Sequence, residues 1–248
     1  MPQVTPLLTL ADHLGACMVR WGIGRMHFLV PPGLYAVGEP DAQAPVVVTA
    51  NYKMTYDIVR RALSGRSVWI LVLETYGINV WCAAGKGTFG TGELVRRIEA
   101  AGLRHVVAHR RLILPVMGAA GVSAHRVKKQ SGFDVAYACA YAADLPEYLD
   151  NGQVTTPRMR ELSFNWHDRL VLIPVELVLV VKPIAPAAVL VFLAGWLLFG
   201  SGAATAATLA FLGAVFTGVA AGPAFLPLLP SRSFAVKGAL AGLVYCAL

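Results

Sequence analysis

Cysteine is scarce in this sequence and poorly spaced for metal. Cys17, Cys82, Cys139 and Cys246 form no CxxC pair and no zinc or cluster spacing, which excludes an iron–sulfur cluster or structural zinc held by this chain alone. Charge is also scarce, at 14% of 248 residues, and it is unevenly spread. Residues 203–230 carry none, and residues 184–200 are apolar throughout. The formal charge is +7, but the basic residues are scattered and no helix-turn-helix, zinc-finger or RNP pattern accompanies them, so nucleic acid is not the expected partner. A secretory leader is missing too. The apolar run 5–10 is too short and Asp12-His13 follows it, so the N-terminal part is expected to remain in the cytoplasm.

The uneven charge divides the chain. Residues 1–168 mix polar and apolar positions as a globular head does, with 1–44 expected as an extension or hairpin and 45–168 as the main domain. Residues 169–248 are read as transmembrane helices, at least two of them, since both uncharged stretches approach or exceed the roughly 20 residues a span requires. Run 170–181 contains Pro174 and Glu176 and reads equally as a span, a re-entrant piece or an interfacial helix. Arg158, Arg160 and Arg169 precede these runs, which fits a multi-pass protein of the inner (cytoplasmic) membrane with its head on the positive side. Run 234–248 has no polar tail, so further chain is expected beyond it.

Within the head, apolar runs at 46–50, 68–73, 106–108 and 135–138 alternate with helical stretches at 54–63, 93–101 and 122–130. This pattern predicts the α/β class, a Rossmann-like open parallel sheet. Such sheets bind ligands beyond the carboxyl ends of their strands. The residues expected on that rim are Thr49, Asn51 and Tyr52, then Glu74, Thr75, Gly77 and the segment around Cys82, then His109-Arg110-Arg111, Pro115, Gly118 and Gly121.

The connection 75–92 is far longer than the usual two to six residues of a strand-to-helix loop, and its apolar Ile78, Val80, Trp81 and Phe89 argue against disorder. A short turn at Trp81-Cys82-Ala83-Ala84, ended by Gly85, is expected. The first turn of a helix, with Lys86 nearby, would favour a negatively charged Cys82 sulfur. The bland alternative is a small buried core residue. A phosphate-binding loop fails on spacing, because Val80 and Gly87 stand where that motif needs glycine and Ser or Thr. A nucleophilic cysteine would need a histidine base; His105, His109 and His125 are available, without any sequence reason to lie beside Cys82.

The run Asn79-Val80-Trp81-Cys82-Ala83-Ala84-Gly85-Lys86-Gly87-Thr88-Phe89 closely resembles the motif of the HgcA family, the corrinoid proteins of microbial mercury methylation. Pro32-Gly33-Leu34-Tyr35-Ala36-Val37-Gly38, Val48-Thr49-Ala50-Asn51-Tyr52-Lys53, His109-Arg110 with Leu112-Ile113-Leu114-Pro115, and Ser131-Gly132-Phe133 are similar as well. The resemblance implies a corrinoid-binding head related to that of the corrinoid iron–sulfur protein. It further implies a cobalamin-type cofactor bound base-off and Cys-on, with Cys82 as the lower axial ligand of cobalt. The Asp-x-His-x-x-Gly pattern of histidine-on cobalamin proteins is absent.

The implied activity is a methyltransferase that passes a methyl group from cobalt to Hg(II). A thiolate opposite the methyl would favour carbanion-like transfer to this soft acceptor, and two electrons must then arrive before remethylation. With no cluster ligands in this chain, the implied donor is a ferredoxin-like partner with two 4Fe-4S clusters, HgcB, and the implied methyl source is a methyltetrahydrofolate-linked system. By position, Asn79 is expected to hydrogen-bond within the turn and Trp81 to pack it against the sheet or the macrocycle. Ala83 and Ala84 would leave room for a flat ring, and Gly85, Gly87 and Gly90 would allow close backbone approach. Thr49 and Asn51 are expected near the corrinoid amides or nucleotide tail, with Thr75, Gly77, Lys86 and Thr88 completing the site. Cys17, Cys139 and Cys246 lie outside the motif and have no expected role.

Overall fold

The computed structural model of the protein describes residues 1–247, which form two compact units: residues 1–19 with 24–162, and residues 20–23 with those from 163 onward. The first unit is built on six strands: β1 (Gln3–Val4), β2 (Gly33–Val37), β3 (Val46–Ala50), β4 (Val68–Leu73), β5 (Arg111–Leu114) and β6 (Asp134–Tyr137), in the spatial order β1-β2-β4-β3-β5-β6. β3 pairs in parallel with β4 and with β5, and β5 with β6, whereas β2 runs antiparallel to β4. The sheet is therefore mixed, with a parallel centre. β3 and β4 read Val-Val-Val-Thr-Ala and Val-Trp-Ile-Leu-Val-Leu and are buried along their whole length. Continuous apolar runs of this kind suit strands covered on both faces.

Helices supply the cover. Successive side chains of a strand point to opposite faces, so Val46, Val48 and Ala50 enter one core with Leu94, Ile98 and Val127. Val47 enters the other with Tyr56, Val59 and Tyr148. These partners come from α2 (Lys53–Ala62), α4 (Thr91–Ala100), α6 (Ala124–Ser131) and α7 (Leu145–Asp150), with α3 (Val80–Lys86) lying between β4 and α4 in the chain.

Two expectations are corrected. Residues 1–44 form no hairpin: β1 runs parallel to β2 and is separated from it by α1 (Leu10–Arg20). Gly22 and Gly24 adopt left-handed conformations that break the chain before a short 3-10 turn at Arg25–His27. Val106 ends a helical turn, α5 (Leu103–Val106), and the third strand of the parallel set lies further on, at β5. Gly102, at φ 57, starts this extra turn. Leu112, Ile113 and Leu114 then supply the buried apolar run. His109 and Arg110 consequently precede the strand and sit at its amino end, opposite the ligand rim.

A buried ionic cluster holds α1 on α2. Lys53 reaches Asp12 and Asp57, and Arg60 bonds Asp57 at 2.7 Å and Asp12 at 2.8 Å. Arg60 Nη1 also donates to the carbonyls of Thr5 and Leu7. Burial alone would raise the Asp12 carboxyl, but hydrogen bonds from Lys53, Thr9 and Arg60 outweigh it and hold the group well below the usual carboxylate range.

In the first unit, α8 (Pro157–Arg160) is the last helix. The second unit is helical, with α9 (Trp166–Leu170), α10 (Ile173–Phe199), α11 (Ser201–Phe216), a π-helical turn (Thr217–Ala221), α12 (Gly222–Phe225) and α13 (Phe234–Ala247). Within run 170–181, which the sequence leaves open, a turn at residues 171–172 leads into one continuous helix from Ile173 through Pro183 and Pro186. Gly200 ends it, and Gly195 packs so tightly on Ala204 that a β-carbon there would lie 2.9 Å from the Ala204 Cα. The helical stretches Trp166–Phe199 and Ser201–Phe225 are long and apolar enough to cross a membrane.

Asp12→Asn should destabilise the head by about 2 kcal/mol at pH 7, below the scale for breaking a fully buried pair because Asp12 is only partly buried. Because the folded carboxyl is depressed, its contribution is fully present above the ordinary Asp value near 4 and is lost as pH falls further. Denaturation of the detergent-solubilised chain at pH 7 and pH 3 should show the mutational loss shrinking at the lower pH. An equal loss at both would contradict the coupling.

Candidate functional site

The connection after β4 folds into α3 because its sequence supplies one apolar face and a cap at each end. Val80, Ala83 and Ala84 are buried at helical spacing, which leaves Trp81, Cys82, Gly85 and Lys86 on the outer side. Asn79 is the N-cap, its Oδ1 accepting from the Cys82 N–H at 2.9 Å, as expected from sequence. The C-cap is Gly87, at φ 80, so the helix runs two residues beyond the expected stop at Gly85. The chain then turns inward. Phe89 is fully buried and donates its N–H to the Ala83 carbonyl at 3.1 Å, while Thr88 Oγ1 lies 3.4 Å from the same oxygen.

Two neighbouring segments fix this helix. The loop after β5 runs under it: a β-carbon on Gly121 would lie 2.2 Å from the Phe89 carbonyl oxygen and 2.9 Å from the Ala84 backbone, and one on Gly118 would lie 2.7 Å from the Phe89 ring. At the other end, Asn51 pins the turn that leads into α3. Its Oδ1 accepts from the Thr75 N–H at 3.0 Å and the Gly77 N–H at 3.3 Å, and its Nδ2 donates to Glu74 Oε1 at 2.6 Å. The Thr75 hydroxyl lies 2.8 Å from Asn51 Oδ1 and 2.7 Å from the Ile78 carbonyl. Asn51 and Thr75 are 1% and 0% exposed, so both position the loop from beneath. Gly77, at φ 74, is required there, because a β-carbon would lie 2.8 Å from Leu29 Cδ2.

Beside α3 a cleft of about 280 Å³ opens over the carboxyl ends of β3 and β5, lined mainly by apolar groups that include Ile58, Val80, Trp81, Met117 and Leu145. Thr49 is in its wall, and the Thr49 hydroxyl is buried with no hydrogen-bond partner. A buried hydroxyl left unsatisfied costs about 1–3 kcal/mol, which a ligand's donor or acceptor would recover. Of the two expected partners of Trp81, the sheet and a macrocycle, the sheet is not used: the side chain is 60% exposed at the cleft. Cys82 is exposed, so the buried-core alternative does not apply. No hydrogen bond joins Cys82 to a histidine among the described residues, and His109 uses Nε2 on the Ala44 carbonyl at 2.9 Å and Nδ1 on the Arg111 N–H at 3.2 Å. Sequence position gave Cys139 no role, yet it lines the cleft. Burial, with Asp144 nearby, pushes its thiol up to about 12, so it is a neutral wall group.

A large flat ligand fits this set: an exposed sulfur on a rigid turn, an exposed indole next to it, open space at Gly85, and one orphaned hydroxyl in an apolar cleft; Ala83 and Ala84, expected to leave room for a ring, instead face the core beneath the helix. The model of the CO dehydrogenase/acetyl-CoA synthase delta subunit family matches residues 18–141, a segment that contains α3, its supporting loops and most of the cleft. The chain belongs to that family. The acetyl-CoA decarbonylase/synthase complex gamma subunit of Methanopyrus kandleri is 37% identical over 124 residues, 49% of this chain and 26% of that protein. Those of Methanocaldococcus jannaschii, at 35% over 92 residues (36% and 19% of the two chains), and Methanothermobacter thermautotrophicus, at 27% over 150 residues (60% and 31%), are similar. The chain thus spans only about a quarter of the length of these relatives, and the CO dehydrogenase/acetyl-CoA synthase family match ends before the apolar helices begin.

Gly121→Ala should unseat α3, because neither the Phe89 carbonyl nor the Ala84 backbone can withdraw cheaply. Hydrogen exchange across residues 80–90 should accelerate at least tenfold. Asn79→Ala should loosen the same segment more mildly, by the roughly 1 kcal/mol of a lost N-cap. Unchanged protection in Gly121→Ala would show that the cap is held elsewhere.

Proposed function

We propose that the head binds a corrinoid through Cys82 and acts as a methyltransferase, passing the methyl group to Hg(II) to give methylmercury, as in the HgcA family. The observation that carries this reading is the exposed Cys82 on a helix capped at both ends, within a segment that belongs to the CO dehydrogenase/acetyl-CoA synthase family. When bound, a methylated corrinoid supplies a methyl group that can leave with its bonding electron pair toward a soft metal acceptor. The chain's own residues perform the rest. Cys82 Sγ would hold the cobalt, and Asn79 fixes the turn that presents it. Trp81 would flank the ring, Thr49 would offer its hydroxyl to a polar group entering the cleft, and the apolar walls would exclude water from it.

The two long apolar helices and the basic residues before them support anchorage in the cytoplasmic membrane with the head on the cytoplasmic side. The sequence offers no cluster ligands, so the electrons that re-reduce cobalt would come from a ferredoxin-like partner with two 4Fe-4S clusters, and the methyl group from a methyltetrahydrofolate-linked donor. The names of the relatives favour one alternative: a corrinoid methyl carrier whose acceptor belongs to a complex of the acetyl-CoA decarbonylase/synthase kind.

Cys82→Ala should reduce methylmercury formation to background and change the absorption spectrum of the bound corrinoid, while Cys17→Ser, an exposed position on α1, should leave both unchanged. Anaerobic methyl-transfer assays on the full chain check this. Wild-type activity in Cys82→Ala would remove the ligand assignment, and a methylated cofactor inert to Hg(II) would favour the other acceptor.

A further inference from the structure

The polarity of α1 is reversed for a surface helix of a globular head. Such a helix normally turns its apolar stripe to the core and its charges to water. In α1 the acidic side chain, Asp12, faces α2, where Lys53 and Arg60 hold it. It shares that face with the buried Val19 and with Gly15, where a β-carbon would lie 2.7 Å from the Phe28 ring. The opposite face repeats Leu10, Leu14, Cys17 and Met18 at helical spacing, and Trp21 continues it just past the last turn. Leu10 and Leu14 are 74% and 56% exposed, and Met18 and Trp21 49% each. Ile23 and Met26 extend the apolar surface. The core of the head uses none of these side chains, and contiguous exposed apolar surface of this kind marks a place where another surface sits.

Three observations select a lipid surface as the occupant. The residues that end and follow α1 pack within the second unit: Arg20 Nη1 donates to the Val171 carbonyl at 3.3 Å, and a β-carbon on Gly22 would lie 3.1 Å from Val178 Cγ1. The end of α1 is therefore tied by its own chain to the start of the apolar helical stretch Trp166–Phe199. The charges at that end are basic, Arg20, Arg25 and His27, and Asp12, the only acidic residue before Glu39, is already paired. A basic edge of this kind complements the anionic headgroups of a cytoplasmic leaflet. Trp21 stands between the apolar stripe and this basic edge, where an indole suits a membrane–water boundary. We infer that α1 lies in the plane of the membrane interface, with Leu10, Leu14, Cys17, Met18 and Trp21 in the acyl boundary and Arg20 and Arg25 among anionic phospholipid headgroups. The paired Asp12 then joins this interfacial helix to α2. The inference rests on the reading of the apolar helices as membrane spans and adds a lipid contact made by the head itself, which those spans do not require.

The test is nitroxide accessibility in the full chain, reconstituted into nanodiscs of phosphatidylcholine with phosphatidylglycerol. Cys82→Ala with Cys246→Ala leaves Cys17 as the exposed thiol to label. On the same background with Cys17→Ser, Ser64→Cys labels an exposed position just past α2 and Leu190→Cys an exposed position on α10. Oxygen should reach the Cys17 label several-fold better, relative to a water-soluble nickel chelate, than it reaches Ser64→Cys. Leu10→Asp with Leu14→Asp, both at exposed positions, should abolish that preference at Cys17 and leave it at Leu190→Cys. A Cys17 label that reads like Ser64→Cys overturns the inference, as does one shielded from both reagents, the signature of a protein contact. An unchanged preference in the doubly substituted chain overturns it too. Failure of Leu190→Cys to favour oxygen would instead overturn the membrane reading on which the inference stands.

Discussion

The geometry of the candidate site depends on one steric constraint, the contact of α3 with Gly121 in the loop after β5. No side chain fits between Gly121, the Phe89 carbonyl and the Ala84 backbone, so the helix has one seat. Val80, Ala83, Ala84 and Phe89 fill that seat with apolar surface, and Asn51 holds the entry through the Thr75 and Gly77 backbone. The outer face of the helix is then free to carry residues chosen for something other than folding. Rigid support beneath an exposed outer face is the pattern expected of a preorganised binding surface.

The parallel centre of the sheet places this surface. β3, β4 and β5 all end on one rim, and each contributes a different function there. β3 contributes the unpartnered Thr49 hydroxyl and the Asn51 pin, β4 leads into α3, and β5 leads into the loop beneath it. β2, running antiparallel to β4 between it and β1, extends the sheet without adding to the rim. The buried cluster of Asp12, Lys53, Asp57 and Arg60 stabilises the far side of α2, so α2 presents Thr55 and Ile58 to the cleft from a fixed position.

Much of this was legible in the residues because burial on both faces leaves a simple trace. The runs at 46–50 and 68–73 are strands with those bounds, and Asn79 caps the helix as its side chain suggests. The failures have physical causes. Val106-Val107 has the composition of a strand, but Gly102 in a left-handed conformation starts a helical turn there. The pairing of β1 with β2 joins segments some thirty residues apart, beyond any local periodicity. Gly85 and Gly87 look alike in sequence, and only the backbone angle shows which of them ends the helix. Asn51 reads as a rim residue because it follows a strand, whereas its amide is used inward.

The central claim is a bond between Cys82 sulfur and cobalt. Cobalt-edge X-ray absorption on the corrinoid-loaded full chain reads that bond directly. A sulfur scatterer in the first coordination shell of the wild type, absent in Cys82→Ala, is the result expected here. A shell of nitrogen and oxygen alone in the wild type would contradict it.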